Sequence, residues 1–294
     1  MNLLFSLNEN YVPPLKVLLF SIFTNNPDEI FSIYLMHTDI SDDTLEEIRQ
    51  LIEEMGHNFH PIQCADVLSA SDETKISRYY SVEMYYWLFA PFLLPDTVDR
   101  ILYLDPDIVC INPVRPYYEQ TFGKNLFVAS NHQYLTKWLH PINKLRLNAE
   151  DSESYFNSGV VLMDLDTIRR ESSLKEIVET IEDSNLLMWL PDQDVFNRLY
   201  AGKIKEADWR RYNLGPRMFD QLNFFFPEKY SKAWAENEVV FIHYHGKKKP
   251  WKERGNYEYS LGAYYYANEA QLKEFEEEQE NRLKERGMER DGTL

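Results

Sequence analysis

The sequence predicts an α/β protein with a Rossmann-like, mostly parallel central sheet flanked by helices, because short apolar runs alternate with segments of helical period. The first apolar run, residues 3–7, precedes a polar turn and a predicted helix over residues 14–24. The next run, residues 31–36, precedes a helix that Ser41 can cap and Gly56 can end. Later strands are predicted over residues 101–104, 126–129, 159–163 and 239–242, and later helices over residues 84–94, 174–183 and 192–200.

The length and composition are those of a globular protein with a sizeable core. The 294 residues are 44% hydrophobic and 15% aromatic, which separates the chain from disordered sequences. No internal repeat and no Gly/Ser linker interrupts the chain, so a single domain is expected over residues 1–268. Residues 269–294 form a charged tail, predicted as a solvated helix or a frayed end.

The charge balance excludes several classes of function. The 48 acidic residues outnumber the 31 basic residues and give a formal net charge of −17, whereas a nucleic-acid-binding protein presents a basic face. The N-terminus does not resemble a signal peptide, and no apolar run reaches the roughly 20 residues of a membrane span. Two cysteines, Cys64 and Cys110, imply no disulfide framework. A cytoplasmic protein is expected, with peripheral membrane contact and oligomeric state left open.

The triplet Asp105-Pro106-Asp107 follows a short apolar strand. Ligands of open α/β sheets bind in the crevice at the carboxyl ends of strands. Two carboxylates there can hold Mg²⁺ or Mn²⁺, which completes its shell with substrate phosphates and water. A simple turn also explains the bare triplet. The apolar flanks favour the metal site, because buried unpaired carboxylates are costly and require a counter-ion.

A second polar segment begins at His243, where another predicted strand ends. Its neutral imidazole can supply a nitrogen ligand, which favours Mn²⁺ over Mg²⁺. Gly246 would allow the backbone to approach a phosphate closely, and Lys249 would add positive charge there. In isolation, the segment is equally well explained as a strand end beside solvated lysines.

Two further polar groups are candidates for sugar binding. Asn157 and Ser158 are placed just before a predicted strand, where they can hydrogen-bond hydroxyl groups. Asp192, Gln193 and Asp194 are placed at a helix start. Helix capping explains one acidic side chain there and leaves the other two polar side chains without a role.

Taken in order, these segments resemble the family 8 retaining glycosyltransferases, which include bacterial lipooligosaccharide galactosyltransferases and glycogenin. The resemblance extends from the first strand to about Trp251. The matching pieces are Asn10-Tyr11, Ile76-Ser77-Arg78, Tyr103-Leu104-Asp105-Pro106-Asp107, Phe156-Asn157-Ser158-Gly159, Asp192-Gln193-Asp194, His243-Tyr244-His245-Gly246 and Lys249-Pro250-Trp251.

The resemblance implies a GT-A fold, a UDP-hexose donor carrying galactose or glucose, and a carbohydrate-bearing acceptor on a glycan, glycolipid or glycoprotein. The expected metal is Mn²⁺, with Mg²⁺ as an alternative, held by Asp105, Asp107 and His243. The implied uridine and diphosphate contacts are Ser6, Asn8, Asn10, Tyr11, Arg78, Gly246 and Lys249. The residues implied around the transferred sugar are Asn157, Asp192 and Gln193.

The same resemblance implies a front-face mechanism. Retention by double displacement needs a carboxylate nucleophile beneath the anomeric carbon, whereas Gln193 takes the matching position and an amide is a poor nucleophile.

Two positions depart from the family. Asn8 stands where an acidic residue is usual, and its side-chain oxygen can still accept the uracil N–H. Trp87 stands where an arginine would contact the donor.

Two other functions are alternatives. A UDP-sugar-binding protein without transferase activity fits the departures at Asn8 and Trp87. A metal-dependent phosphohydrolase fits the clustered carboxylates, although it would need a nucleophilic aspartate or a second metal. A nucleotidyltransferase is set aside, because its glycine-rich basic loop is missing after the first strand.

Residues 131–151 form a candidate lid, or an ordinary surface excursion packed by its own aromatic side chains.

Overall fold

Nine strands form two sheets in the computed structural model, which describes residues 1–64, 82–131, 155–183 and 191–291. In chain order the strands are β1 Asn2–Ser6, β2 Ser32–His37, β3 Asn58–Gln63, β4 Arg100–Leu104, β5 Ile108–Cys110, β6 Phe127–Asn131, β7 Phe156–Asp164, β8 Ile204–Ala207 and β9 Phe241–His243. Arg78 lies outside the described residues, as does the candidate lid from residue 132 onward.

The main sheet has the order β3-β2-β1-β4-β7-β6-β8. Strands β3, β2, β1 and β4 are parallel neighbours, and β8 is parallel to β6. Strand β7 is antiparallel to both β4 and β6. The predicted, mostly parallel sheet is therefore confirmed, with β7 as the strand that reverses direction.

Twelve helices are present in the described part of the chain. They are α1 Val12–Asn25, α2 Asp42–Glu54, α3 Tyr86–Leu93, α4 Arg115–Tyr118, α5 Leu165–Glu171, α6 Leu174–Asp183, α7 Pro191–Leu199, α8 Trp209–Tyr212, α9 Pro216–Phe225, α10 Lys232–Glu238, α11 Pro250–Glu253 and α12 Gly262–Asp291. The Ser41 hydroxyl accepts a hydrogen bond from the Thr44 amide at 3.2 Å, so Ser41 caps α2 as predicted.

Helices cover both faces of the sheet. Successive side chains of a strand point to opposite faces. Leu3 and Phe5 of β1 therefore join a core cluster with α1, while Leu4 joins a second cluster with α3 and α7. All three side chains are fully buried. Burial on both faces explains why β1 reads as a continuous apolar run without polar alternation.

Strands β5 and β9 form a small antiparallel ribbon beside the main sheet. Residues 105–107 connect β4 of the main sheet to β5 of this ribbon. Ile108 is paired with His243 at the end of β9. This register places His243 beside the carboxylates of Asp105 and Asp107, far away in the sequence.

The strand predictions differ from the structure in three ways. The strand predicted at 159–163 begins at Phe156, so Asn157 and Ser158 lie inside β7 and not before it, because Phe156 still pairs with Asn131 of β6. The strand predicted at 239–242 is shifted to β9, since Val239 caps α10. Strands β3, β5 and β8 were missed. Strand β5 has only three residues, and β3 and β8 are edge strands with mixed polar patterns, which weakens the alternation signal.

The C-terminal helix α12 packs against α1. The predicted domain boundary at residue 268 lies inside this helix, which continues without a break. Leu272 is 5% exposed, and the rings of Phe275 and Phe20 are 5.9 Å apart. Lys16 forms an ion pair of 2.5 Å with Glu276. The first half of α12 therefore contributes to the core, although its sequence is highly charged.

We expect Leu272→Ala to lower the free energy of unfolding by about 2–4 kcal/mol, because it leaves a cavity between α12 and α1. The matched control is Lys273→Ala, which changes the adjacent exposed residue and should alter stability by less than about 0.5 kcal/mol. Urea unfolding followed by circular dichroism measures both values. Equal stabilities for the two variants would contradict the packing of α12 on α1.

Candidate active site

A cleft of about 260 Å³ opens at the carboxyl ends of β1 and β4. These strands are parallel neighbours, so the residues that follow them meet at the same edge of the sheet. The lining residues are Ser6, Leu7, Asn8, Tyr11, Met84, Tyr103, Asp105, Pro106, Asp107 and Asp192. The cleft thus joins the expected uridine contacts to the expected metal ligands.

Asp105, Asp107 and His243 form a cluster of potential metal ligands, the one such cluster found in the described part of the chain. One ligand atom from each residue lies within 4.8 Å of the others. His243 Nε2 is 3.0 Å from Asp107 Oδ1 and 3.6 Å from Asp105 Oδ2. The topology brings these groups together through β4, the 105–107 connection and the ribbon.

Asp107 is a buried carboxylate with a basic partner. Its side chain is 10% exposed, and Asp107 Oδ2 accepts a hydrogen bond from the Lys249 ammonium, which also donates to the Tyr244 carbonyl at 2.8 Å. Burial acts to raise the pKa of Asp107, but the nearby His243 and Lys249 outweigh it and hold that pKa far below its ordinary value. Lys249 is the counter-ion that the sequence required.

Asp105 lies in a different environment from Asp107. Burial and the neighbouring charge of Asp107 raise the pKa of Asp105 above its ordinary value. The Tyr103 hydroxyl donates a hydrogen bond of 2.8 Å to Asp105 Oδ1. The Tyr103 ring stacks on Trp87, with centroids 5.0 Å apart and planes inclined by 16°. Trp87 is fully buried, so it supports Tyr103 from the core and does not line the cleft.

The cluster fits a divalent cation. Asp107 Oδ1 is buried, and the polar atom beside it is His243 Nε2 at 3.0 Å, another potential metal ligand. Two carboxylates and one imidazole nitrogen form a mixed oxygen and nitrogen donor set, which suits Mn²⁺ and related ions. A cation between these atoms would bind Asp107 Oδ1 and offset the charge of the two carboxylates.

Gly159 forms the wall behind the cluster. Its carbonyl accepts a hydrogen bond of 2.8 Å from the Asp105 amide. A Cβ atom at residue 159 would lie 2.5 Å from Asp105 Oδ2 and 3.0 Å from His243 Nδ1, closer than van der Waals contact allows. The sequence marked Gly159 only as part of a motif, and its spacing gave no sign of this close approach.

A chain of amide side chains runs from the metal cluster toward the expected sugar contacts. His243 Nδ1 lies 2.8 Å from Asn213 Oδ1, and Asn213 Nδ2 donates to Asn157 Oδ1 at 2.7 Å. Asn157 Nδ2 donates to Gln193 Oε1 at 3.0 Å. Sequence reasoning missed Asn213, because it follows the short helix α8 and belongs to no recognised motif.

Asp192 lines the cleft beside this chain. Its Oδ2 atom accepts a hydrogen bond of 2.8 Å from the Ser158 hydroxyl. Burial and the charge of Asp105 raise the pKa of Asp192 to about 6. A carboxyl group with this pKa can exchange a proton near neutral pH.

The other expected contacts are distributed around the cleft. Asn8 lines it, and its side-chain oxygen accepts a hydrogen bond from the Asn10 amide at 3.2 Å, which caps the 3₁₀ turn Glu9–Tyr11. Asn10 itself is exposed. Gly246 has a φ of 94°, which favours glycine. Lys249 contacts Asp107, next to the place expected for a diphosphate.

The sequence profile of Glycosyl transferase family 8 matches residues 2–255. The chain belongs to this family. It is therefore a glycosyltransferase, and the GT-A fold and the family resemblance predicted from the sequence are confirmed. Enzymes of the GT-A fold use a nucleotide sugar and a divalent metal, and the cluster of Asp105, Asp107 and His243 is compatible with that use.

Family 8 relatives align with most of the chain. A lipopolysaccharide 1,2-glucosyltransferase of Escherichia coli K12 is 29% identical over 257 residues, which cover 85% of this chain and 72% of the relative. A lipopolysaccharide 1,3-galactosyltransferase of Salmonella typhimurium is 24% identical over 264 residues, covering 87% and 74%. Both relatives transfer a hexose according to their names.

Solved structures share the fold. The galactosyltransferase LgtC in complex with donor and acceptor sugar analogues superposes with a TM-score of 0.73 at 23% identity, covering 92% of this chain and 96% of that chain. The glycosyltransferase GlyE of Streptococcus pneumoniae superposes with a TM-score of 0.68 at 17% identity, covering 95% and 64%.

Within the described residues, no helix combines the length and apolar character needed to cross a membrane.

We expect Gly159→Ala to weaken Mn²⁺ binding roughly 10- to 100-fold, because the added methyl group displaces the ligands Asp105 and His243. Isothermal titration of the metal-free protein with Mn²⁺ measures the affinity. Circular dichroism and thermal unfolding check that the variant remains folded. Wild-type affinity in a folded variant would contradict the close approach at Gly159.

We expect Asp192→Asn to stabilise the metal-free protein at neutral pH. The raised pKa means that the folded protein keeps a proton that the unfolded chain loses between about pH 4 and pH 6, so ionisation of Asp192 lowers stability over that range. The gain above pH 6 should be about 1–2 kcal/mol, after allowance for partial exposure. Urea unfolding from pH 4 to pH 8 measures it. A gain that persists unchanged at pH 4 would contradict this cause.

Proposed function

We propose that the protein transfers galactose or glucose from a UDP-hexose to a carbohydrate-bearing acceptor, with retention of configuration and with Mn²⁺ as the metal. The main support is the cleft that holds Ser6, Asn8 and Tyr11 together with Asp105 and Asp107. A nucleoside bound at the first three residues would place its diphosphate beside the carboxylate cluster. Family membership supports a glycosyl donor, and the imidazole of His243 favours Mn²⁺ over Mg²⁺.

The side chains around the metal position prepare the site for the leaving diphosphate. When bound, the metal supplies Lewis-acid stabilisation to the departing UDP. Asp107 remains ionised through its contact with Lys249, so it is ready to bind a cation across the ordinary pH range. With Asp107 holding a cation, the Lys249 ammonium would be available to contact the diphosphate. Its charge then stabilises the negative charge that develops on the leaving group.

The polar groups on the other side of the cleft support a front-face reaction. The acceptor hydroxyl forms the new bond to the anomeric carbon as the bond to the phosphate oxygen breaks, and its proton passes to a phosphate oxygen of UDP. Gln193 offers an amide and no carboxylate nucleophile at the expected position. Asp192 Oδ2 accepts a hydrogen bond from the Ser158 hydroxyl, and this carboxyl group would orient the acceptor hydroxyl and stabilise positive charge on the sugar.

The lipopolysaccharide transferases among the relatives suggest a glycolipid acceptor, with a glycan or glycoprotein as other members of the same class. Membership of a glycosyltransferase family argues against a phosphohydrolase. Trp87 is buried and does not line the donor cleft, so the arginine that the resemblance implies is missing there, and this departure remains the feature that favours an inactive UDP-sugar-binding protein.

UDP release from a panel of UDP-sugars in Mn²⁺, Mg²⁺ or EDTA tests the proposed function. We expect Mn²⁺-dependent release from UDP-galactose or UDP-glucose, with Asp107→Ala reducing it roughly a hundredfold or more. The control Asp28→Ala removes an exposed aspartate and should leave the rate unchanged. Tight UDP binding in Mn²⁺ without release from any donor, even with lipopolysaccharide fragments present, would favour the inactive binding protein. Absence of UDP binding would overturn the proposal.

A further inference from the structure

Asn213 connects the metal cluster to the sugar-binding side of the cleft. It is 4% exposed and lies between His243 and Asn157. Neither partner is near it in sequence, since the separations are 30 residues to His243 and 56 residues to Asn157. Asn213 is therefore placed by the tertiary fold, in a position where it hydrogen-bonds a residue from each half of the site.

One backbone group determines the orientation of the three side-chain amides of Asn213, Asn157 and Gln193. The Gly159 amide donates to Asn157 Oδ1 at 2.9 Å. A backbone N–H can only donate, so the atom of Asn157 that it contacts must be the oxygen. That same oxygen faces Asn213 at 2.7 Å, and the Asn213 atom opposite it must be the NH₂ group.

The orientation then passes to His243. With its NH₂ group turned toward Asn157, Asn213 presents Oδ1 to His243 Nδ1 at 2.8 Å. An oxygen acceptor at this position requires the proton on Nδ1. With the proton on Nδ1, Nε2 is the ring nitrogen left to bind a metal, and it lies 3.0 Å from Asp107 Oδ1. The ring is thereby preset as a metal ligand.

The orientation also passes in the other direction to Gln193. Because Oδ1 of Asn157 is occupied, its Nδ2 atom donates to Gln193 Oε1 at 3.0 Å. Gln193 Nε2 is then the free end of the amide. It is buried and has no hydrogen-bond partner among the described residues, in a side chain that is 3% exposed. A buried donor without a partner is costly, so this NH₂ group is suited to an oxygen atom of the bound substrate.

We propose that Asn213 is a positioning residue that holds His243 in its metal-binding tautomer and turns the NH₂ group of Gln193 toward the substrate. The proposal rests on the proposed function for its metal and donor. Its consequence for the reaction is that Gln193 acts as a hydrogen-bond donor to a substrate oxygen. Its carbonyl oxygen accepts the hydrogen bond from Asn157 Nδ2.

The first test uses the metal-free wild-type protein and needs no activity. Two-bond ¹H–¹⁵N correlation spectra at pH 8 report which ring nitrogen of each histidine carries the proton, and the His243→Gln variant assigns the signal. We expect a protonated Nδ1 in His243. An unprotonated Nδ1 with the proton on Nε2 would overturn the proposal, whether or not the protein transfers sugar.

Two substitutions at Asn213 distinguish the effects of its hydrogen bonds to His243 and to Asn157. Asn213→Asp keeps an acceptor for His243 Nδ1, so Mn²⁺ affinity should stay within about threefold of wild type or increase. The same variant removes the donor to Asn157, so kcat should fall roughly tenfold or more. Asn213→Leu removes both bonds, so Mn²⁺ affinity should also fall roughly tenfold or more. The control Asn237→Leu changes an exposed amide on α10 and should change neither quantity by more than about twofold.

The pattern across the variants decides between positioning and a merely structural role. Mn²⁺ affinity is measured by isothermal titration, and kcat and KM by UDP release. Equal losses of Mn²⁺ affinity in the Asp and Leu variants, or wild-type affinity in both, would overturn the proposal. If wild type binds Mn²⁺ but turns over no UDP-hexose, the proposed function fails, while the tautomer and the metal affinities still test Asn213.

Discussion

The buried carboxylate of Asp107 imposes the condition that the rest of the site satisfies. Removing an ionised carboxylate from water costs several kcal/mol unless a charged partner and hydrogen bonds replace the water. The Lys249 ammonium lies 142 residues further along the chain, so the partner can arrive only through tertiary structure. The β5–β9 ribbon supplies it, because its register sets His243 beside Asp107 and leads directly into the turn that carries Lys249. A ribbon of three residue pairs is therefore essential to the electrostatics of the whole cleft.

Three carboxyl groups close together acquire different properties from this arrangement. The basic groups near Asp107 lower its pKa, whereas burial and like charge raise those of Asp105 and Asp192. Environments that separate the pKa values of neighbouring acids also assign them different tasks. Asp107 is the permanent anion, suited to a cation. Asp192 lies beyond the ligand cluster with a pKa of about 6, which suits a group that responds to charge on the substrate.

Sequence reasoning predicted the elements whose signal is local. Apolar runs buried on both faces, such as β1, and capped helices, such as α2, were placed within a few residues. Edge strands β3 and β8 were missed, since a half-exposed strand at the edge of a sheet shows no clear alternation of apolar and polar residues. The ordered motifs indicated the family and the candidate ligands. Asn213 could not be found in this way, because its contacts are entirely non-local. The departure at Trp87 was visible in the sequence, but only the fold places its ring behind Tyr103 in the core.

Gly159 joins the metal side of the cleft to the sugar side. Its carbonyl holds the Asp105 backbone, its amide orients Asn157, and its missing side chain leaves room for His243 and the Asp105 carboxylate. One glycine therefore contributes through its carbonyl, through its amide and through the absence of a side chain. A residue with a side chain could keep the two backbone hydrogen bonds but not the space, so the identity of residue 159 is determined by the cluster behind it. The same backbone position thus aligns the ligands for a cation and the amides that face the sugar, which makes the two halves of the cleft one structural unit.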